Sequence, residues 1–480
     1  MPTPIDRIRA LEPLSRRLDP GAAERELLTD AAVSYAESFL VGIEALKAYE
    51  SDSAPAARLG AVRLGDEPTP ADDVLRLLRD AVDTPGINPA SGGHVGYIPG
   101  GGLYASALGD YLAAVTNRYA GIWFASPGAA EMENLLLDWM AKLVGYPAGS
   151  GGNLASGGSI ANLIAIVTAR DARGLRGRDY ARAVVYLSEQ AHHCVDKALR
   201  IAGMGECGRR YVEMDERYRV RPDALEAAIA EDRAAGLIPW LVVASAGTTD
   251  VGAIDPLPEI GRIAREHGLW YHVDAAYGGF FALLDDVRPK LAGMEDSDSI
   301  VLDPHKGLFL PYGTGAVLVK DKAAMVAAHH YHAAYMQDAH VDDAAAVRSP
   351  ADVSPELSKH FRGPRLWLPL LLHGLAPFRA CLEEKLLLTQ YFHERVASLG
   401  FETGPEPELS VSTYRWTRAA GDADAFNRAL LERLHRDGRL FVSSTRLGGR
   451  FTLRMAALAF RTHLEHVDRL LGLLAEEVAA

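Results

Sequence analysis

The sequence predicts an α/β protein built on a mostly parallel central sheet, with a helical N-terminal arm and a small α+β unit at its C-terminal end. Three observations lead there. The chain has 480 residues, 48% of them hydrophobic and 24% charged, enough length for one large α/β domain with appendages and the balance of an ordinary globular protein. Short β-type runs alternate with helical patterns through its middle, the arrangement of βαβ units whose sheet is covered on both faces. Beyond residue 372 the strand-like runs cluster between helical segments, as in α+β folds.

Residues 6–81 read as helical. Leu27, Leu28, Ala31, Ala32, Tyr35 and Phe39 recur at i, i+3, i+4 spacing, and 72–78 repeats the theme after Pro68 and Pro70. The Gly- and Pro-rich stretch TPGINPASGGHVGYIPGGG (84–102) separates this arm, 1–85, from the large α/β domain, 86–371. Within that domain AVVYLS (183–188), WLVVASA (240–246), LWYHVDA (269–275), SIVLD (299–303) and GAVLVK (315–320) are the strands. The C-terminal domain, 372–480, opens with a helix, continues through LSVSTYRW (409–416), RLFVSST (439–445) and FTLRMAAL (451–458), and closes with a helix from near Leu464. No internal repeat or low-complexity tract interrupts this order.

Charge and cysteine usage narrow the function classes. The net charge is −13 and no stretch concentrates Lys and Arg, which argues against nucleic acid and anionic membranes as partners. No run approaches the ~20 apolar residues of a membrane span, and residues 1–14 mix charge with proline rather than forming a signal segment. A cytoplasmic protein is expected. Cys194, Cys207 and Cys381 are odd in number with no CxxC pair, so they read as reduced thiols acting as small buried hydrophobes.

In parallel sheets ligands gather at the carboxyl ends of strands, and five features converge there. LWYHVDA delivers Asp274, and SIVLD leads through Asp303, Pro304 and His305 to Lys306. A lysine followed by Gly307, Leu308, Phe309 and Leu310 sits in an apolar setting, where desolvation disfavours the ammonium and favours a Schiff-base nucleophile. An aspartate facing a pyridine nitrogen is the other half of what pyridoxal phosphate chemistry asks of a protein; the plainer alternative is a Lys306–Asp274 ion pair. Residues 155–159 (ASGGS) precede the apolar helix ANLIAIVTAR (161–170), so backbone amides and the Ser159 hydroxyl would meet a phosphate at a helix N-terminus. His192 follows AVVYLS, placed for its imidazole to lie against a flat ring, and Gly247, Thr248 and Thr249 follow WLVVASA.

These motifs resemble those of the pyridoxal-phosphate-dependent group II amino-acid decarboxylases, which include the aromatic-L-amino-acid, histidine and glutamate decarboxylases. The resemblance rests on SGGSIANL (156–163), SEQAHHCVDKA (188–198), ASAGTTDVGAID (244–255), YHVDAAYGG (271–279), DPHKGL (303–308) and SKHFRGPRLW (358–367), and spans the chain from about residue 30 to its end. It implies the aspartate-aminotransferase fold (PLP fold type I), pyridoxal 5'-phosphate as cofactor and a homodimer with shared active sites. It assigns Lys306 as the Schiff-base lysine, Asp274 as partner of the pyridine nitrogen and His192 as the stacked imidazole. Gly158, Ser159 and His305 match phosphate-site positions, Ala276 lies under the ring, and Thr249 or Thr248 lies near the cofactor. Ungapped counting places Tyr335 as the tyrosine that protonates the substrate Cα, with Tyr331 and His332 as rivals, ahead of a polar segment (336–356) expected to form a mobile lid.

Three positions depart from well-known members. Gly100 stands where a threonine near the substrate carboxylate is usual, Gly121 replaces a bulky aromatic and so could enlarge the pocket or be compensated by the partner subunit's Trp123, and Asp303 stands where several relatives have asparagine beside the phosphate. Asp303 is expected to face away from the anion, bonding backbone N–H groups or His305. The pocket candidates Tyr97, Ile98, Pro99, Tyr119, Trp123 and Leu357 are aromatic or aliphatic, which favours a neutral aromatic amino acid over a diacid. Ser358 occupies a position where plant relatives tend to use serine for phenolic substrates, favouring tyrosine or DOPA over tryptophan. Lys359, Arg362 and Arg365 would reverse this by pointing into the pocket. The alternatives are other PLP chemistry on the same scaffold (acidic amino-acid decarboxylation, aldehyde synthesis or retro-aldol cleavage) and a catalytically silent homologue, which would have lost Lys306, Asp274 or His192.

Overall fold

Thr3 opens the first helix, Pro4–Ser15, by accepting from the Asp6 N–H while the Asp6 carboxylate accepts from the Thr3 N–H, a reciprocal cap for amides that helix geometry leaves unpaired. In the computed structural model, which describes residues 2–331, 347–418 and 421–479, helix Ala22–Gly42 follows. Neither helix buries a residue. The apolar spacing read from the sequence is therefore present as a face with little of this chain against it: Leu27 is 71% exposed, and Ile5, Ile8, Leu11 and Leu14 are exposed as well. Strands β1 (Tyr49–Glu50) and β2 (Gly86–Ile87) pair antiparallel and join the two ends of the segment that follows.

The central sheet has seven strands: β3 (Gly151–Ala155), β4 (Ala183–Leu187), β5 (Gly208–Tyr211), β6 (Ile238–Ser245), β7 (Trp270–Asp274), β8 (Ser299–Leu302) and β9 (Gly315–Val319). Their order is β3-β9-β8-β7-β6-β4-β5. Strands β4 to β8 are parallel, whereas β9 runs antiparallel to both β3 and β8. The run 315–320 is thus a strand, but reversed relative to a βαβ reading. Between β8 and β9 the chain makes only the one-turn helix Pro304–Gly307, and a parallel return needs a crossover long enough to carry the chain back along the sheet. Two edge strands carry no legible pattern: β3 reads GGNLA, and β5 reads GRRY and is mostly exposed.

Side-chain alternation sorts each strand between two apolar layers. Val184 and Tyr186 of β4 and Tyr271 and Val273 of β7 enter one core with helices Pro127–Val144 and Leu257–Glu266. Val185 and Leu187, with Trp270, enter the other beneath helix Gly158–Ala172. His272 and Asp274 share the parity of Trp270, so they lie on the face covered by helix Gly158–Ala172. That parity places polar chemistry beside the start of this helix.

The second sheet contains β10 (Glu402–Thr403), β11 (Val411–Arg415), β12 (Ser443–Leu447) and β13 (Arg450–Ala456), antiparallel in the order β10-β11-β13-β12. Gly448 and Gly449 have φ of 56° and 78°, the left-handed pair that a two-residue hairpin between β12 and β13 demands. The run 439–445 divides: Phe441 pairs with His94 in a parallel bridge, and the strand proper begins at Ser443. Phe392, Leu430 and Leu470, from helices Ala376–Ser398, Ala423–Asp437 and Leu464–Ala479, pack with Tyr414, Leu453 and Met455 of this sheet.

Candidate active site

The carboxyl edge of the central sheet encloses a cavity of about 320 Å³. β7 ends in it with Asp274, and Asp303, His305 and Lys306 enter after β8. Gly158 and Ser159 line it from the helix that follows β3, His192 from the segment after β4, and Thr248 and Thr249 from the turn after β6. Ala276 lines it as well. All nine residues read as a cofactor site therefore meet in one cavity.

Lys306 Nζ lies 3.0 Å from Asp303 Oδ2. Burial alone would lower the lysine pKa, but Asp303, reinforced by Asp274, outweighs it and holds the ammonium above its usual range. This corrects two expectations. The lysine does not shed its proton easily in the structure as it stands, and Asp303, 1% exposed, turns Oδ2 to Lys306, with His305 Nε2 at 3.8 Å, while its Oδ1 has no partner among the described residues. The ion pair is therefore with Asp303 rather than Asp274, because one turn of helix Pro304–Gly307 sets positions 303 and 306 side by side.

Asp274 is held by two donors, the Ala276 N–H on Oδ1 at 3.1 Å and Asn162 Nδ2 on Oδ2 at 3.3 Å. Burial keeps the His192 imidazole below its ordinary pKa, and its Nδ1 accepts the Cys194 N–H at 3.3 Å, which puts the remaining ring proton on Nε2. Burial also lowers the His305 pKa; its Nδ1 donates to the Thr314 carbonyl at 2.6 Å. Thr248 Oγ1 accepts the Ala253 N–H and so braces its own loop, beside Thr249, which also lines the cavity. Cys194 also lines the cavity, but burial pushes its thiol well up, away from the thiolate that reactivity needs.

The site fits pyridoxal phosphate. Helix Gly158–Ala172 begins without a side-chain cap, so its first amides are available to an anion. A Cβ at Gly158 would fall 2.8 Å from Asp303 Oδ2, so only glycine leaves this approach open. An amine, a carboxylate and a neutral imidazole stand around the same space.

The substrate-pocket candidates lie elsewhere. None of Tyr97, Ile98, Pro99, Tyr119, Trp123, Leu357 and Ser358 lines this cavity. Ile98 packs into the main core and Pro99 is buried. Tyr97 is 58% exposed with φ of 53°, Tyr119, Leu357 and Ser358 are exposed, and Trp123 donates from Nε1 to Glu131. Gly121 does not enlarge a pocket: a Cβ there would lie 2.1 Å from the Leu357 carbonyl. At Gly100 a Cβ would lie 2.0 Å from the His305 carbonyl, so a threonine cannot occupy this position with the backbone as it is. Lys359, Arg362 and Arg365 are taken by Glu133, Glu356 and Asp110 at 2.7, 2.9 and 2.8 Å.

Tyr335 and His332 lie outside the described residues; Tyr331 is described and is 85% exposed. Of the expected lid, 347–356 is packed in place: Val347 and Val353 are buried, the Pro350 carbonyl accepts from Asn153 Nδ2 at 3.1 Å, and Ser349 Oγ accepts the Trp123 N–H. The remainder, 336–346, lies outside the described residues. Three polar residues were not singled out from the sequence. Asn162 sits inside an apolar helical run and His272 inside a strand, where only the parity with Asp274 marks it. Arg454, on β13, is 2% exposed and donates to the carbonyls of Tyr97, Thr249 and Asp250 and to Ser443 Oγ.

Comparison with known proteins agrees with this geometry. Residues 62–414 match the pyridoxal-dependent decarboxylase conserved domain. The chain is 31% identical to an aromatic-L-amino-acid decarboxylase of Bacillus atrophaeus, over 80% of this chain and 81% of that protein. It is also 31% identical to tyrosine decarboxylase 2 of Narcissus pseudonarcissus, over 84% and 83%. The crystal structure of Oryza sativa TDC with PLP and tryptamine superposes with a TM-score of 0.90 at 28% identity, covering 96% of this chain and 99% of that one. On the matched domain and the shared aspartate-aminotransferase fold, the chain belongs to the pyridoxal-dependent decarboxylase family, a carboxy-lyase whose cofactor is pyridoxal 5'-phosphate.

Proposed function

We propose that the protein decarboxylates a neutral aromatic L-amino acid to its amine and carbon dioxide, with tyrosine or DOPA preferred over tryptophan. The observation that carries this reading is the pairing of Lys359, Arg362 and Arg365, each with a carboxylate of its own. None is left to receive an acidic side chain, and the candidate entrance residues Tyr97, Tyr119 and Trp123 are aromatic.

When bound, pyridoxal phosphate supplies the aldehyde that takes the substrate amine and the ring that accepts the electron pair released as carbon dioxide leaves. The protein's part is to bind, orient and move protons. Lys306 is the amine that holds the cofactor, and Asp274 keeps a proton on the pyridine nitrogen. The helix start at Gly158 and Ser159, with His305, would hold the phosphate, and His192, Ala276 and Thr249 would hold the ring. Tyr335 delivers the proton to the substrate Cα.

Arg454, buried behind the cavity rather than lining it, is the cation proposed to hold the substrate carboxylate in the absence of a threonine at position 100. It has no carboxylate partner among the described residues, and its four hydrogen bonds to neutral oxygens leave one N–H. It also ties Tyr97 to Thr249, which lines the cavity. The apolar faces of helices Pro4–Ser15 and Ala22–Gly42, neither of which buries a residue among the described ones, support a homodimer, and the exposure of Tyr97, Tyr119 and Leu357 suits residues offered to a second subunit's site. All three cysteines are free, as in a reducing compartment such as the cytoplasm. No helix among the described residues is long and apolar enough to cross a membrane.

The test is kcat/KM for tyrosine, DOPA, phenylalanine, tryptophan, histidine and glutamate with the cofactor-loaded protein. The highest value is expected for tyrosine or DOPA; glutamate at the top would overturn the pocket argument.

A further inference from the structure

Asp274 ends a chain of buried polar side chains that crosses from β8 to the helix after β3. Trp270 Nε1 donates to Ser299 Oγ at 2.8 Å, Ser299 Oγ is 2.8 Å from His272 Nδ1, and His272 Nε2 is 2.9 Å from Asn162 Oδ1. Asn162 Nδ2 then reaches both the Gly158 carbonyl at 2.9 Å and Asp274 Oδ2 at 3.3 Å. Ser299, His272 and Asn162 are fully buried, and Trp270 nearly so.

The direction of every proton in this chain follows from its two ends. A carbonyl and a carboxylate can only accept, so the Asn162 amide NH₂ faces Gly158 and Asp274 and its Oδ1 faces His272. His272 must therefore donate from Nε2. Burial pushes its pKa down to about 4, so the neutral ring carries one proton and Nδ1 is an acceptor. Nδ1 takes the Ser299 hydroxyl proton, and Ser299 in turn accepts from Trp270. Four groups, Trp270, Ser299, His272 and Asn162, donate in one sense toward Asp274, each with its partner.

We propose that Asn162 and His272 are positioning residues that set the orientation of the Asp274 carboxylate and thereby its hold on the proton of the cofactor's pyridine nitrogen. Asn162 anchors Oδ2 while the Ala276 N–H anchors Oδ1, so the carboxylate cannot rotate, and one lone pair on each oxygen remains for the ring. His272 acts through Asn162: without its N–H the amide loses the contact that fixes which way it faces. The inference rests on the pyridoxal phosphate reading of the site.

Two measurements test it. In cofactor-free wild-type protein, ¹⁵N-histidine correlation spectra should place the single ring proton of His272 on Nε2; an Nδ1–H tautomer overturns the relay, and this experiment needs neither cofactor nor variant. In protein loaded with ring-¹⁵N pyridoxal phosphate, Asn162→Ala and His272→Phe should retain the cofactor through gel filtration. Their ring-nitrogen resonance should move from the wild-type position toward that of Asp274→Asn, with kcat falling on the order of 10-fold to 100-fold, as when outer partners of a functional ligand are removed, and KM little changed. A wild-type resonance in both variants overturns the relay while the cofactor reading stands. Failure of the wild type to take up the cofactor, or an Asp274→Asn resonance identical to wild type, overturns the cofactor reading itself and the relay with it.

Discussion

Lys306 Nζ and the buried Asp303 Oδ2 form an ion pair at 3.0 Å, so in the structure described here the amine proposed to meet the cofactor is held as an ammonium by its neighbour three residues back. Only the neutral amine attacks an aldehyde. The Asp303 carboxylate also lies beside Gly158, where the phosphate is proposed to sit, so cofactor loading is expected to rearrange it.

Replacing Asp303 with Asn should therefore ease loading. With the partner charge gone, burial dominates and the Lys306 pKa falls, so the pH midpoint of pyridoxal phosphate uptake moves down and uptake at neutral pH speeds by about tenfold per unit of fall. Stopped-flow absorbance at neutral pH reads the rate, and an uptake rate no faster than that of the wild type counts against the pair. The sign for stability is the opposite. The lysine pKa is raised in the folded state, so the pair stabilises the cofactor-free protein below the ordinary value of 10.5 and that contribution is lost as pH rises through the folded value.

Tyr335→Phe removes the proposed proton donor to Cα. Amine formation should fall by roughly 10²–10⁴-fold while cofactor uptake stays at the wild-type level, with aldehyde appearing among the products by mass spectrometry. A wild-type rate in this variant moves the role to Tyr331 or His332.

Gly100→Ala forces a methyl group into the His305 carbonyl one residue before Lys306. Overpacking of this kind costs about 1–3 kcal/mol, so the variant should unfold at a lower temperature and bind cofactor more weakly. Gly128→Ala is the control: it lies in the first turn of helix Pro127–Val144 with nothing within 4 Å of its would-be Cβ, and alanine there should be neutral or stabilising by up to ~1 kcal/mol. Differential scanning calorimetry of both separates a local clash from a general intolerance.

Arg454→Gln should raise KM for the amino acid by more than it lowers kcat, because it removes the charge proposed to hold the substrate carboxylate but keeps an amide for the carbonyls of Tyr97 and Thr249. Steady-state kinetics with the corresponding amine as inhibitor gives the contrast: inhibition by the amine, which has no carboxylate, should be unaffected. Equal weakening of substrate and amine would assign Arg454 a purely structural part.

How much of this was legible in the chain differs by residue. Asp274, His192 and Lys306 stand at the ends of apolar runs, where strand-end reasoning finds them, and the five strands of the central sheet that carry such runs were readable for the same reason. β3 and β5 were not, since GGNLA and GRRY lie at the sheet's edges and need no apolar stripe. The reversal of β9 was hidden because side-chain alternation says nothing about strand direction. The lysine's partner was misplaced because the sequence shows a carboxylate at each strand end but not the single helical turn that puts Asp303, rather than Asp274, beside Lys306. Asn162 was concealed by its apolar neighbours, and Arg454 by lying on another sheet altogether.

The central claim is that this site converts a neutral aromatic amino acid into its amine by losing carbon dioxide and nothing else. Amine and carbon dioxide counted together, from tyrosine and the cofactor-loaded wild-type protein, test it most directly. One amine for each carbon dioxide, abolished in Lys306→Ala, is the predicted result; aldehyde in place of amine, or turnover of glutamate but not tyrosine, would contradict it.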